Sequence, residues 1–355
     1  MKTIFLESHN IKNRHFGFGQ FNYHFIKGLY NAEIEEFNIA LHIKNCDDLI
    51  QEFGTYFNYK KYSSLSRHSL FRIRKKYNVW HSLNQNTKIE PYHKTPYILT
   101  IHDVNFIHEE SSDMSHKRNI RFKEKLNRCD AITYISEFAR TSTHQHFDVP
   151  KIPEYVIHNG NPIREINLPD EFRPKLVPDR PFLFFIGEIT ERKNVHTLVK
   201  LLQHLPEHEL VLSGKDSSQY AHTKLAETIS KTKTKARVHI TGKIDEMEKQ
   251  YYLKHCEAFV FPSLREGFGL PPIEAMRFGK PVFLANNTSL PEIGGEDAFY
   301  WDSFDPEYML KVFESGMHKF LSMKEELEKV YIQRAKSFNW DTAALEYAKV
   351  YRSLL

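Results

Sequence analysis

At 355 residues the chain is long enough for about two domains of roughly 150 residues, each able to bury its own core, which excludes a peptide, a small disulfide-stapled scaffold and a short repeat. With 41% hydrophobic and 26% charged residues, 14 Gly and 16 Pro, it lies in the ordinary range of folded globular chains and outside that of disordered, collagenous or coiled-coil sequences. A formal net charge of +4 is too small to argue for nucleic acid, so any electrostatic partner must be met locally.

Taken in chain order, MKTIFLESHN holds a short apolar stretch, Ile4 to Leu6, that stops at Glu7. It is too short for a signal-peptide core, and no run of about 18 apolar residues follows, so a cytoplasmic chain that does not span a membrane is expected. Short β-branched or aromatic runs then alternate with helical patterns: TIFLE, NIALHI, VWHS, YILTIH, AITYIS and YVIH, and after a gap FLFFIG, ELVLSG, RVHITG, AFVFPS, PVFLAN and AFYWD. Runs apolar on both faces, separated by amphipathic helices, predict buried parallel sheets and an α/β fold.

After the first run, HNIKNRHFGFGQFNYHFIKGL places Gly17 and Gly19 in a loop that leads into a helix. RHSLFRIRKKYNVW carries Arg67, Arg72, Arg74, Lys75 and Lys76 without an acid, and HKRNIRFKEKLNR carries Lys117, Arg118, Arg121, Lys123, Lys125 and Arg128 against Glu124. Both read as basic amphipathic helices suited to an anionic membrane surface, with a solvated basic face as the alternative. The gap, NPIREINLPDEFRPKLVPDRP, has five prolines and no sustained period. It predicts an exposed connection with the boundary within residues 162–180, a first domain over 1–165 and a second over 178–337. At the end, Asp341 and Thr342 precede an amphipathic helix with Ala344, Tyr347, Ala348, Tyr351 and Leu355 on one face. This 338–355 segment is expected to pack back on the first domain.

The runs end in small, polar or charged residues: His102 and Asp103 in the first half, Gly187 and Glu188, Ser213 to Lys215, Thr241 to Lys243 and Pro262 to Glu266 in the second. Ligands of open α/β sheets bind beyond the carboxyl ends of the strands, and two such sheets facing each other would put both rims on one cleft. The most informative segment is SLREGFGLPPIEAMRFGKPV, directly after AFVFP. Gly267 and Gly269 permit close backbone approach, Pro271 and Pro272 suit a helix start, and Gly279 suits its end. The first turn offers free N–H groups to a phosphate or to sugar hydroxyls. Glu266 and Glu274 flank it; taken alone, the first also reads as a solvated loop charge and the second as a dipole-complementing carboxylate. Arg192 and Lys193 read as a solvated first helical turn or, since a helix dipole repels cations there, as a pair bridged by an anion.

With Glu266 and Glu274 as its two acids, this segment resembles the Glu, seven residues, Glu signature of the retaining glycosyltransferase family four. IGEITERKNVHTLVK is similar to the family's phosphate-binding strand, loop and helix, TIHD, AITYISEFAR and VIHNG to its amino-domain landmarks, and ANNTSLPEIGGEDAFYWD and FNWDTAALEYAKVYRSLL to its carboxyl-domain and tail patterns. Many members carry Arg where Glu188 stands here, and Arg192-Lys193-Asn194 matches a mannosyltransferase-like subset. The resemblance implies the glycosyltransferase-B fold, two Rossmann-like doubly wound domains facing across a cleft. It also implies a retaining, front-face transfer of a hexose-like sugar from a GDP- or UDP-linked donor to a hydroxyl of a glycan or lipid-linked glycan, as in polysaccharide or lipopolysaccharide synthesis, without metal or other cofactor. By the same resemblance Arg192 and Lys193 stabilise the departing diphosphate. Glu266 holds the transferred sugar, and His102 hydrogen-bonds it with Asp103 as orienter. Glu274 holds the ribose, while Thr241, Gly242 and Ile244 meet the base. Gly267, Phe268, Gly269 and Leu270 meet sugar and phosphate, and Gly17 and Gly19 lie near the donor phosphates and the acceptor. A nucleotide-sugar epimerase of the same architecture and an inactive sugar-nucleotide-binding subunit are the alternatives.

Absent motifs agree. There is no D-x-D pair, no P-loop, no third glycine after either glycine pair, no H-E-x-x-H despite 20 His and no G-x-S-x-G. Cys46, Cys129 and Cys256 are widely spaced and form no metal or redox signature.

Overall fold

In the structure, a computed structural model describing residues 1–13, 17–216 and 218–355, the chain divides into two α/β units. The first comprises Met1–Gly160 and Asn339–Leu355, the second Asn161–Phe338. In the first, β1 (Thr3–Glu7), β2 (Asn38–Ile43), β3 (Asn58–Lys61), β4 (Val79–Ser82), β5 (Tyr97–Ile101), β6 (Ala131–Tyr134) and β7 (Glu154–Val156) form a parallel sheet of order β3-β2-β1-β4-β5-β6-β7. In the second, β8 (Phe182–Ile186), β9 (Glu209–Ser213), β10 (Val238–Gly242), β11 (Ala258–Phe261), β12 (Val282–Ala285) and β13 (Phe299–Trp301) form a parallel sheet of order β10-β9-β8-β11-β12-β13. Helices cover both sheets, so the central strands are buried on both faces; every residue of VWHS, YILTI and AFVF is buried.

Each strand order reverses once, between β1 and β4 and between β8 and β11. At such a reversal the crossovers leave in opposite directions and open a crevice at the carboxyl ends of the two strands. Both sheets therefore offer a ligand position before any particular side chain is considered.

Several predicted details differ. β3 has no counterpart among the predicted runs: NYKK is polar because it is an edge strand, half-buried at most, held by main-chain pairing to β2. Gly17 and Gly19 do not lie in a loop but begin the helix Gly17–Asn31, whose buried Phe21, Phe25, Ile26 and Leu29 give it a core face strong enough to extend the helix through them. Arg14 to Phe16 of that predicted loop lie outside the described residues. RHSLFRIRKKYNVW is not a helix; it forms two short 3-10 turns, after which Ile73 bridges Pro91 and is buried with Tyr77. HKRNIRFKEKLNR does contain a helix, Lys117–Leu126.

The connection at residues 162–180 belongs with the second unit because its polar groups are satisfied there. Asn161 donates to the Ile273 carbonyl at 2.9 Å, Asn167 N–H to Gln250 at 3.0 Å, and Tyr252 to the Leu176 carbonyl at 2.8 Å. The closing helix, Trp340–Ser353, lies in the first unit, and its cap is Asn339, which accepts from the N–H groups of Asp341 and Thr342. Leu355 falls beyond the helix and is exposed. Among the described residues no helix is long and apolar enough to cross a membrane.

Trp340 is buried where two glycines make room for it: a Cβ at Gly28 would lie 2.4 Å from its carbonyl oxygen, and one at Gly160 2.3 Å from its nitrogen. Replacing a helical glycine by alanine ordinarily stabilises by about 0.5–1 kcal/mol. Gly28→Ala is expected to reverse that sign and destabilise by about 1–3 kcal/mol through overpacking. Gly17→Ala, where a Cβ meets nothing within 4 Å, should leave the melting temperature unchanged or raise it. Thermal melts followed by circular dichroism check this; equal upward shifts in both variants would contradict it.

Candidate active site

The rim of the second sheet is closed by backbone. Gly187 N–H donates to the Ser213 carbonyl at 2.9 Å and Gly214 N–H to the Gly242 carbonyl at 2.8 Å. Gly214 has φ +142°, and a Cβ there would sit 1.8 Å from the Gly187 oxygen, so only glycine lets these strand ends meet. Beyond β8 the chain makes a 3-10 turn, Glu191–Lys193, and Asn194 at φ +58° redirects it into the helix His196–Leu202. Arg192 and Lys193 thus precede the helix rather than forming its first turn.

At the reversal between β8 and β11 this turn meets the loop that follows β11. The buried Lys193 ammonium donates to Oε1 of Glu266 and lies 4.8 Å from the centre of the Phe261 ring. Ser263 Oγ donates to the same carboxylate oxygen at 2.5 Å, and an Arg192 Nη1 stands 3.6 Å from it while donating to the Arg265 carbonyl. The loop is pinned from both sides: Leu264 N–H donates to the Arg192 carbonyl at 2.9 Å, Glu266 N–H to Thr288 Oγ1 at 3.2 Å, and Ser289 Oγ to the carbonyls of Glu266 and Phe268. Gly269, at φ +127°, turns this loop into the helix Leu270–Met276. Burial alone would raise the Glu266 carboxyl, but Lys193 and Arg192 outweigh it and hold it below the usual carboxylate range. Burial lowers the Lys193 ammonium despite Glu266. The cluster is a buried ion pair with a further cation at its edge, an anion site occupied by the protein's own carboxylate.

Glu274 stands in a separate pair. It is buried mid-helix and does not cap the helix; its Oε1 accepts from Lys249 Nζ at 2.8 Å, and that ammonium is also 2.9 Å from Glu246. Burial raises the Glu274 carboxyl against the pull of Lys249, and for Lys249 the carboxylates of Glu274 and Glu246 overcome burial and raise the ammonium. Thr241, at the end of β10, meets Ser213 Oγ at 2.8 Å; Gly242 and Ile244 beside it are half-buried.

The first unit holds His102, Gly17 and Gly19. His102 closes β5 and is buried; its Nε2 donates to the Leu83 carbonyl at 2.8 Å, and burial pulls it down to about 4, so it is neutral at pH 7. The rings of Phe18 and Phe21, from the helix that Gly17 begins, meet it edge-on at 4.8 and 4.6 Å. Asp103 accepts from Asn105 N–H at 2.9 Å. Gln85 ties the segment together, accepting from His102 N–H at 3.2 Å and donating to the Asp103 carbonyl at 2.8 Å. Glu7, at the end of β1, is fully buried; burial would raise its carboxyl, but His42 and His9 hold it well below the usual range. Among the described residues no three His, Cys, Asp or Glu side chains are grouped to hold a metal ion.

Sequence reasoning brought out Arg192, Lys193 and Glu266, which the fold joins. Ser263, Thr288, Ser289, Lys249 and Gln85 carry no such signal: they are common residue types, and all but Ser263, whose partner Glu266 is three residues on, depend on a partner distant in sequence. A carboxyl lowered by folding adds stability above its unfolded value and loses it as pH falls through the folded value. Glu266→Gln also leaves Lys193 buried without its counter-charge, a loss of about 3–5 kcal/mol for a broken buried pair. Its melting temperature should therefore lie below that of the parent at neutral pH, and the gap should narrow as the pH falls below the usual carboxylate range and the parent's carboxylate is protonated. A gap that stays constant over that range would show that the pair is not ionised in the folded state.

Comparisons with known proteins agree with this construction. Residues 169–338 match the family model described as Glycosyl transferases group 1, and residues 58–163 match Glycosyltransferase Family 4. The chain is 29% identical over 236 residues to the serotype-specific mannosyltransferase WbdA of Escherichia coli, a match that covers 62% of this chain and only 28% of that protein. It is 24% identical over 278 residues to the O-antigen chain mannosyltransferase B of Escherichia coli, covering 72% of this chain and 70% of that one. Among solved structures, sucrose-phosphate synthase from Thermosynechococcus elongatus has the same fold, with a TM-score of 0.73 at 20% identity over 100% of this chain and 99% of that one. Its two parallel-sheet units have the glycosyltransferase-B fold, and the two glycosyltransferase family models together match most of its length, so the chain is similar to the glycosyltransferases of family four.

Proposed function

We propose that the chain is a retaining hexosyltransferase that moves a sugar, mannose by analogy with its relatives, from a nucleoside diphosphate donor to a hydroxyl of a growing glycan. The observation that carries this reading is the Lys193, Arg192 and Glu266 cluster at the β8/β11 reversal, inside the half of the chain that matches a glycosyltransferase family model. The relatives named above are transferases, which does not favour the epimerase and inactive-subunit alternatives.

The chemistry follows from the charges. When the bond between the anomeric carbon and the diphosphate oxygen breaks, negative charge grows on that oxygen. The Lys193 ammonium and the forked Arg192 guanidinium meet it without a metal, in a site where burial makes each interaction stronger than in water. The acceptor oxygen forms its bond to the anomeric carbon on the face from which the diphosphate departs, and its proton passes to a departing phosphate oxygen. The configuration is kept and no protein base is required. Glu266, fixed by Ser263, takes hydroxyls of the transferred sugar; Glu274, fixed by Lys249, takes those of the ribose; the half-buried Thr241, Gly242 and Ile244 take the base. Neutral His102 offers the sugar a hydrogen bond that does not vary across physiological pH.

Steady-state kinetics with a panel of GDP- and UDP-linked sugars, in EDTA, tests the assignment. Lys193→Ala should lose about 10²-fold or more in kcat, because its charge acts on the leaving group in the transition state. Glu274→Gln should mainly raise the donor KM, and Glu266→Gln should lower kcat more than donor affinity. Dependence on added Mn²⁺, or parental rates in all three variants, would overturn the reading.

A peripheral association with an anionic membrane surface is a second element of the proposal, supported by the exposed Leu65, Leu70 and Phe71 among Arg67, Arg72 and Arg74. Co-flotation with phosphatidylglycerol vesicles, lost in Leu70→Ser/Phe71→Ser, is the expected result; flotation unaffected by those changes contradicts it.

A further inference from the structure

The basic residues of the first unit do not simply coat its surface. The helix Lys117–Leu126 and the stretch before β4 enclose a cavity of about 210 Å³ lined by Arg67, Arg72, Lys88, Arg121, Lys125 and Arg128. Two carboxylates, Glu90 and Glu124, share this wall. Glu90 is already engaged, with one oxygen 3.1 Å from Lys125 Nζ and the other paired with Arg128. Among the described residues the side chains of Arg72, Lys88 and Arg121 make no hydrogen bond or ion pair.

Gathering these cations carries an electrostatic cost. Lys125 is 3% exposed, and burial, reinforced by Arg121 and opposed by Glu7, pulls its ammonium down to about 7. Burial lowers the Arg128 guanidinium as well, and Arg72 adds to the effect. Lys125 is buried while Arg67, Lys88 and Arg128 reach solvent; like charges crowded on one concave wall repel one another, and a shared anion relieves them all at once. The cavity is smaller than the roughly 300–1,000 Å³ of sites for drug-sized ligands, so it suits a compact group. Several guanidinium forks and ammonium groups match the many oxygens of a phosphate.

Arg67 and Lys88 also line a second cavity of about 270 Å³, together with His9, Phe18, Asn84 and Thr87. It lies beyond the carboxyl ends of β1 and β4, where the strand order of this sheet reverses. The two cavities therefore form one groove hinged on two cations, with a sugar-sized part at the sheet rim and an anion-sized part beside it.

We propose that this groove binds the acceptor and that the cationic cavity holds a phosphoryl group carried by it. The inference rests on the transferase reading for the existence of an acceptor. Two sources share this chemistry, a lipid diphosphate and a phosphorylated sugar.

Calorimetric titration of the full chain with inorganic pyrophosphate tests the site itself. Arg72→Gln/Arg121→Gln should weaken binding about tenfold or more, the loss expected when two charge-assisted contacts go. Lys75→Gln/Lys76→Gln, which lowers the same net charge outside the cavity, should leave it nearly unchanged. Arg192→Gln should retain this binding, which separates the site from the donor cluster and from any failure of the donor reading. Equal losses in the two double variants, or binding abolished by Arg192→Gln alone, would overturn the proposal. Farnesyl diphosphate and glucose 6-phosphate then distinguish the sources. Tighter binding of the first than of pyrophosphate, lost in Arg72→Gln/Arg121→Gln, assigns a lipid diphosphate, and the same pattern for the second assigns a phosphorylated sugar. Neither ligand being sensitive to that double variant would overturn the acceptor assignment.

Discussion

A lysine ammonium buried against a glutamate carboxylate is the interaction on which the second unit's rim depends. Removing two such ions from water costs several kcal/mol each, and their attraction offsets this only if geometry is good and the remaining hydrogen-bonding capacity is filled. The surrounding structure meets those conditions one by one. Gly214 lets the strand ends close, Asn194 turns the chain so that Lys193 points inward, and Ser263 supplies a second donor to Glu266. Thr288 and Ser289 then fix the loop that carries the carboxylate. Loosening any of these would leave a buried charge short of its partner. In the proposed reaction the same requirement is useful, because a diphosphate arriving beside Arg192 finds cations already oriented and desolvated.

The two units show how one topology hosts different chemistry. Both sheets are parallel, both reverse once, and both gather polar residues at the reversal. In the second unit the reversal carries charges of opposite sign, Lys193 and Glu266. In the first it carries Glu7 between His9 and His42, and His102, directly after β5, is kept neutral by burial. The fold supplies the crevice, and particular side chains decide what it can do.

The parts of this architecture that were legible in the sequence are those encoded locally. Twelve of the strands sit on runs apolar on both faces, and Glu266 and Arg192-Lys193 stood out because glycines, prolines and a misplaced cation pair mark them within a few residues. Gly17 and Gly19 suggest a loop because glycines at a strand-to-helix junction commonly form one, whereas the phenylalanines that follow pull the helix through them. β3 escaped because edge pairing needs no apolar pattern. Lys249, Gln85 and the cationic cavity were out of reach for a different reason: their partners are 25, 17 or more positions away, and no local pattern announces such a meeting.

The central claim, that the β8/β11 reversal is where the donor's diphosphate binds, is tested most directly by a crystal structure of the chain soaked with the nucleoside diphosphate that binds it best. Phosphate oxygens are expected within hydrogen-bond distance of Lys193 and Arg192, the ribose hydroxyls on Glu274 and the base beside Thr241 and Gly242. Density for the nucleotide only elsewhere, with the Lys193 to Glu266 pair undisturbed, would contradict it.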